Sequence, residues 1–347
     1  MNLADFFRSP LLFSLLLASS LLPLSAKQVQ WKLKEYRGNK YVPLSQVKEF
    51  YKLKSMTQSG RQIILKNDQL TLKFQAGGQE VLMNDVKFIF SNAIVALGTY
   101  HMSVTDLLKV IDPVLRPYKI PGAKAFDTVI IDPGHGGKDA GASNSLGTEA
   151  GYNLKVALLL KERLLKRGFK VVMTRSTDVF LTLKERVKLA NKYQNAIFVS
   201  IHFNSAGSRR ARGIETFTLS PEGVAHYGRS LKESDFVKRP GNNQDSANIA
   251  LATAVHWTSL RRLNEPKLKM SVQDRGIRRA RFSVLTGVQH PAILLEGGFL
   301  SHPKEKYLIN SSSYQKTLAN AVGDAIFFYR QATLKKTSQA SKTNKAQ

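Results

Sequence analysis

From residue 128 onwards the chain alternates between two kinds of segment, and that alternation leaves few folds open. TVIID, FKVVMTR, AIFVSIHFN, GIETFTLS, ARFSVL and AILLEGGFL have the apolar and β-branched content of buried strands. Between them run YNLKVALLLKERLLKR, LTLKERVKLANKY and NIALATAVHWTSLRRL at helical spacing, and YQKTLANAVGDAIFFYRQ closes the series. Strands separated by helices predict an α/β domain, a mostly parallel twisted sheet with helices on both faces. In such a sheet, ligands bind beyond the carboxyl ends of the strands. The residues just past each strand are therefore the first places to look for chemistry.

The first such loop lies within TVIIDPGHGGKDAGASNSLGTEAGYNL, residues 128–154. Its glycines suggest a nucleotide site, but both nucleotide patterns fail. A phosphate loop needs Ser or Thr after Lys138 and a glycine at 132, where the chain has Asp139 and Asp132. The dinucleotide pattern fits Gly134 and Gly136, then meets Asp139 where its third glycine belongs. A metal fits better. His135 follows the first strand, and Glu149 opens the next helix. His202 stands near the end of AIFVSIHFN, where alternation puts Phe198, Ser200, His202 and Asn204 on one face. The other face, Ile197, Val199, Ile201 and Phe203, is apolar and belongs to the core. AILLEGGFL delivers Glu296 to a Gly-Gly turn at a further strand end. Hydrolytic zinc typically takes three N/O ligands and leaves a position for water, and His135, Glu149 and His202 are such a set. The bound water then ionises near neutrality, and Glu296 is the carboxylate placed to carry its proton. Spacing alone leaves two readings open: this site, or isolated polar residues, with Glu149 a first-turn helix acid. His226, His256, His290 and His302 are expected to be ordinary exposed or hydrogen-bonded histidines.

Charge and export narrow the surroundings. The 347 residues carry 52 Lys+Arg against 25 Asp+Glu, a net charge of +27 that calls for polyanionic neighbours: nucleic acid, anionic lipid or an acidic wall polymer. PLLFSLLLASSLLPL followed by Leu24-Ser25-Ala26 reads as a signal peptide over 1–26, with an uncleaved anchor as the alternative. Export to the periplasm, the cell envelope or the medium removes nucleic acid as the partner. With no cysteine, the chain has neither a lipoprotein anchor nor disulfides. Residues 27–122 read as a small α+β accessory domain, 123–331 as the α/β domain, and 332–347 as a basic disordered tail.

Within the accessory segment, YVPL entering a helix, and the partial recurrence of that theme at GTYHMSVTDLL, resemble the copper amine oxidase N-terminal-like domain. No copper is implied, since His101 is the only histidine there.

The C-terminal segments resemble the zinc-dependent N-acetylmuramoyl-L-alanine amidases of the family 3 type. The matching stretches, in family order, are IIDPGHGGKDAGA, Glu149 with the following Asn153-Leu154, VVMTRSTD, ERVKLAN, FVSIHFNSA, RGIRRARFSVL and AILLEGGFLSHPKE. The resemblance implies a phosphorylase/hydrolase-like amidase fold, one zinc on His135, Glu149 and His202, and Glu296 as base. It also implies hydrolysis of the amide joining the lactyl group of N-acetylmuramic acid to L-alanine of the peptidoglycan stem, in wall remodelling or daughter-cell separation. Asn204, Arg275 and Arg281 are candidate substrate contacts, arginine being suited to stem carboxylates. Two departures stand out. Glu149 is followed by Ala150-Gly151 rather than charged residues, and residues 221–245 are longer and more polar than the minimal pattern. In some relatives a helix near that place plugs the zinc site until a partner removes it; here a surface loop is expected. Peptidoglycan is the expected partner, with an anionic envelope polymer against the basic surface and tail, and a monomer is expected. A wall-binding protein without chemistry and a zinc peptidase acting within the stem are the competing functions.

Overall fold

The computed structural model describes residues 30–120, 126–268 and 270–343, with side chains to Ala332. The predicted signal peptide, residues 1–26, lies outside them, as do residues 121–125 of the linker and the last four residues. The chain divides into two compact units, Met1–Ile120 and Pro121–Gln347.

The first unit is built from short strands. Asn39–Pro43 leads straight into the helix Leu44–Phe50, and Thr99–Ser103 leads into helical turns from Val104 to Leu115. These two strands pair antiparallel, so the repeated sequence theme is brought together. Ser103 caps the second helix by accepting from the Asp106 N–H at 3.0 Å. A ladder of antiparallel strands begins at Ser55–Ser59, which has no buried residue, and from Gln62–Lys66 to Val86–Ile89 alternates buried with less buried side chains, as a sheet with one covered face requires.

The second unit contains the α/β sheet. Its strands are β1 (Thr128–Pro133), β2 (Lys170–Met173), β3 (Ala196–Asn204), β4 (Ile214–Leu219), β5 (Asp274–Ala280) and β6 (Ala292–Phe299), in the order β2-β1-β3-β6-β4-β5. All neighbours are parallel except β4 against β6. The helices α1 (Glu149–Leu165), α3 (Asp245–Leu263) and α6 (Ser312–Thr343) cover one face, while α2 (Leu183–Ala190) and α4 (Ser283–Gly287) flank the other; α5 (Glu305–Asn310) follows β6. β1 is buried along its whole length because it is covered on both faces and paired on both edges.

Two expectations need correction. The Phe198 face of β3 is also a core face: Phe198 packs in a cluster with Ile130, Phe217, Leu285 and Leu294 beneath α2 and α4. Only the end of that face, from Ser200 to Asn204, is polar. ARFSVL is not a strand; the strand is Asp274–Ala280, and Phe282 begins the turn into α4. Its arginines concealed it, because Arg278 and Arg279 are buried on satisfied partners rather than exposed. Helix α6 runs on to Thr343. Lys, Gln and Ala propagate a helix readily once a packed segment has nucleated it.

Candidate active site

Strand register assembles the site. Pro133 of β1 lies beside Ile201 of β3, and His202 lies beside Glu296 of β6, so three adjacent strand ends meet. Thr148 caps α1 and fixes Glu149 as its first residue, carboxylate towards the strand ends. Ligand atoms of His135, Glu149 and His202 all lie within 4.8 Å of one another. Glu149 Oε1 is 3.1 Å from His135 Nε2 and 2.8 Å from His202 Nδ1.

The glycines of the loop have specific uses. A Cβ on Gly134 would stand 2.1 Å from His202 Cε1, inside the imidazole. One on Gly141 would stand 2.7 Å from both Glu149 Oε2 and His135 Cδ2. His135 itself has φ +59, a left-handed conformation that costs a non-glycine residue on the order of 1 kcal/mol. Its surroundings hold it there. Asp139 Oδ2 accepts from His135 Nδ1 at 2.8 Å, which turns Nε2 towards Glu149, and Arg186 donates to the His135 carbonyl at 2.7 Å. An outer carboxylate that fixes the ring of a ligating histidine is the usual arrangement in metal sites.

Electrostatics point the same way. Burial opposes ionisation of Glu149, but hydrogen bonds from His135 and His202 overcome it and hold the carboxyl well below the usual range. The Glu149 hydrogen bond raises the His135 pKa against burial. A carboxylate held ionised between two imidazole nitrogens, all three donors within 4.8 Å, forms a set that fits a divalent cation, which on binding displaces any imidazole proton. Glu296 behaves in the opposite sense. Burial first, then the charges of Glu149 and Glu215, push its pKa well above the ordinary carboxyl value, and its Oε2 is sealed from water without a hydrogen-bond partner. His135, His202 and Glu296 line one cleft of about 590 Å³, whose walls include Phe180, Leu183 and Phe282.

The residues that brace this cluster were not assigned roles from sequence. Asp132, at the end of β1, accepts from Thr174 Oγ1 at 2.6 Å, Ser200 Oγ at 2.9 Å and Arg186 NH1 at 2.8 Å, all buried. Arg175 donates to the carbonyls of Pro133 and Gly134, and Asn153 also donates to Gly134. VVMTRSTD and ERVKLAN carried the signal as ordered motifs without a chemical reason. Replacing Arg186 with Met should leave Asp132 buried without its ion-pair partner, and lower stability by about 3 to 5 kcal/mol in urea unfolding followed by circular dichroism.

The three candidate substrate contacts have internal partners. Asn204 donates to Glu215 Oε1 at 2.6 Å, and Arg275 and Arg278 pair with Glu215 Oε2 at 3.0 Å. Arg281 does line the cleft, but it pairs with Asp235 at 2.8 Å and donates to the Pro221 and Val224 carbonyls. Glu215, an acid that sequence reasoning passed over, lies opposite Glu296 on the neighbouring strand. Because β4 runs antiparallel to β6, Glu215 is near the site and Leu219 is remote from it. Residues 221–245 therefore leave the sheet from the end away from Glu296, and none of the described residues lining the cleft belongs to them. The other histidines have structural partners: His256 bridges Thr216 and Asp274, His290 bonds the Ala190 carbonyl, His226 accepts from Arg281 N, and His302 accepts from Glu305 N.

An α/β sheet with a His–Glu–His cluster and a buried carboxyl at adjacent strand ends defines a hydrolase-type enzyme site. The chain belongs to the N-acetylmuramoyl-L-alanine amidase family (Amidase_3), whose profile matches residues 129–327. It is 33% identical over 202 residues to the uncharacterized protein YqiI of Bacillus subtilis, covering 58% of this chain and 84% of that one. It is 30% identical over 216 residues to the N-acetylmuramoyl-L-alanine amidase AmiC of Neisseria meningitidis, covering 58% of this chain and 52% of that one, about half its length. Among solved structures, it is similar to the catalytic domain of CwlV, an N-acetylmuramoyl-L-alanine amidase from Paenibacillus polymyxa var. colistinus. That likeness has 33% identity and a TM-score of 0.48, and covers 60% of this chain and 99% of that one.

Proposed function

We propose that this chain hydrolyses the amide between the lactyl group of N-acetylmuramic acid and L-alanine of the peptidoglycan stem. The observation that carries the reading is the meeting of His135, Glu149 and His202 within 4.8 Å, with Glu296 on the adjoining strand. Zinc is the metal we assign to these three side chains; when bound, it polarises the scissile carbonyl and makes water acidic enough to attack at neutral pH. Asp139 and Ala142 N–H fix His135 and Glu149 so that their donor atoms are set before metal arrives. Glu296 takes the proton of the attacking water on its carboxylate and hands it to the alanine nitrogen as the carbon–nitrogen bond breaks. A raised pKa suits both halves of that transfer, because the acid form must be a competent donor to the leaving amine. The apolar walls of the cleft shield the reacting amide from bulk water.

The setting follows from the same assignment. A chain exported by its leader acts in the periplasm or at the cell envelope, in wall remodelling or daughter-cell separation, and its basic surface suits an anionic wall. No described helix is long and apolar enough to cross a membrane.

Purified peptidoglycan incubated with the mature protein should yield free stem peptides and unsubstituted glycan by mass spectrometry. Shortened stems still attached to glycan would instead show a peptidase. Dialysis against a chelator should abolish turnover, and one equivalent of Zn²⁺ should restore it; activity that survives metal removal would refute the assignment.

A further inference from the structure

A second pocket opens at the opposite end of the sheet. It lies at the amino ends of β3 and β6, beside Ala196 and Pro291. At ~3.3 Å per residue along β3, it is about 20 Å from His202. Its volume is about 340 Å³, enough for a small ligand.

The lining is chemically unusual for this chain. In a protein of net charge +27, no Lys, Arg, Asp or Glu lines the pocket among the described residues. Side-chain amides dominate instead, and they divide into two groups. Asn191 and Gln244 are fixed: Asn191 accepts from Gln289 N at 3.0 Å and donates to the Gly287 carbonyl at 3.0 Å, while Gln244 donates to the Gln289 carbonyl at 3.1 Å. They hold the loop before β6 in place. Gln194, Asn195 and Gln289 make no side-chain hydrogen bond within the described residues and retain their donors and acceptors for a ligand. Asn195 is locked at φ +50, its carbonyl accepting from Asp127 and Thr128 N–H, so its amide is presented from a fixed backbone. Beside it, Tyr193 is 39% exposed, and the buried rings of Phe126 and Tyr329, stacked at 5.8 Å, form an apolar floor.

Charged ligands find no counter-charge here, and a purely apolar ligand would strand the free amides. An uncharged molecule with hydroxyl and acetamido groups around an apolar ring face satisfies both parts of the wall, the amides at its edge and a tyrosine on its face. We propose that this pocket is a glycan subsite that takes one or two N-acetylhexosamine units. The choice of sugar rests on the peptidoglycan reading above; the uncharged, amide-rich character of the ligand does not. A strand held here and cut at the cleft is engaged at two places, so release from one does not free the enzyme from the wall.

The test uses the full chain and chitotetraose, a sugar without a stem peptide that the enzyme cannot cleave. Titration followed by ¹⁵N chemical shifts should show binding on the order of millimolar Kd, with shifts centred on residues 193–197 and 289–291. Tyr193→Ala and Asn195→Gly should each raise Kd about five- to tenfold, the scale of one lost contact, and glycine accepts the positive φ. Turnover of a small soluble muropeptide should be unchanged in both variants. Absence of binding, wild-type affinity in both variants, shifts centred on His135 and His202, or stronger perturbation by trialanine than by the sugar would each overturn the proposal. Because the N-acetylated probe carries no lactyl or stem-peptide amide, these results are independent of which bond the cleft hydrolyses.

Discussion

Glu296→Gln should lower kcat by about 10²- to 10⁴-fold, the contribution expected of one positioned proton carrier. The substitution keeps the shape of a buried side chain and leaves the His135, Glu149 and His202 donors untouched. Metal content measured by elemental analysis should therefore equal that of the wild type. Folding should be unharmed or slightly improved, because an acid pushed upwards by burial and by Glu149 and Glu215 is replaced by a neutral amide. Retained turnover would remove Glu296 from the proton-carrying role, and lost metal would show that it acts through the ligands instead.

His202→Ala has the converse signature. One of three donors disappears, and Glu149 loses the 2.8 Å partner that offsets its burial. Outer partners of a metal ligand alone are worth about 10- to 100-fold in affinity, so removal of the ligand should cost more than 100-fold. After dialysis the variant should retain almost no metal, and peptidoglycan hydrolysis should fall with it. Circular dichroism checks that the sheet persists. A variant that keeps stoichiometric metal after dialysis would mean that His135 and Glu149 bind without it.

The parts of this architecture that sequence reveals are those where chemistry and periodicity disagree. A histidine on a glycine turn, and a histidine and a glutamate closing apolar strands, stand out against the apolar pattern and mark the place to look for a ligand. Alternation then supplies the sheet, and the resemblance supplies the roles. The supporting shell was illegible for the opposite reason: Asp132, Arg175, Arg186 and Glu215 look like surface charges in one dimension. Their burial depends on partners scattered along the chain, as with Arg186 and Asp132, 54 residues apart. The same effect hid β5, whose arginines look exposed until Glu215 and Thr218 are placed against them. Arg281 shows what a cluster of arginines in one dimension leaves out: it lines the cleft, and its guanidinium also holds Asp235 and the loop carbonyls.

The reversal of β4 also bears on how such a chain can change over time. A connection that leaves the sheet from the end remote from the His135–Glu149–His202 cluster can lengthen, shorten or accept a foreign segment without displacing that cluster. Within residues 221–245, the exposed stretch 237–239 lies outside the Pro221, Val224 and Asp235 contacts that hold Arg281, which makes it the natural insertion point for a fused module or reporter.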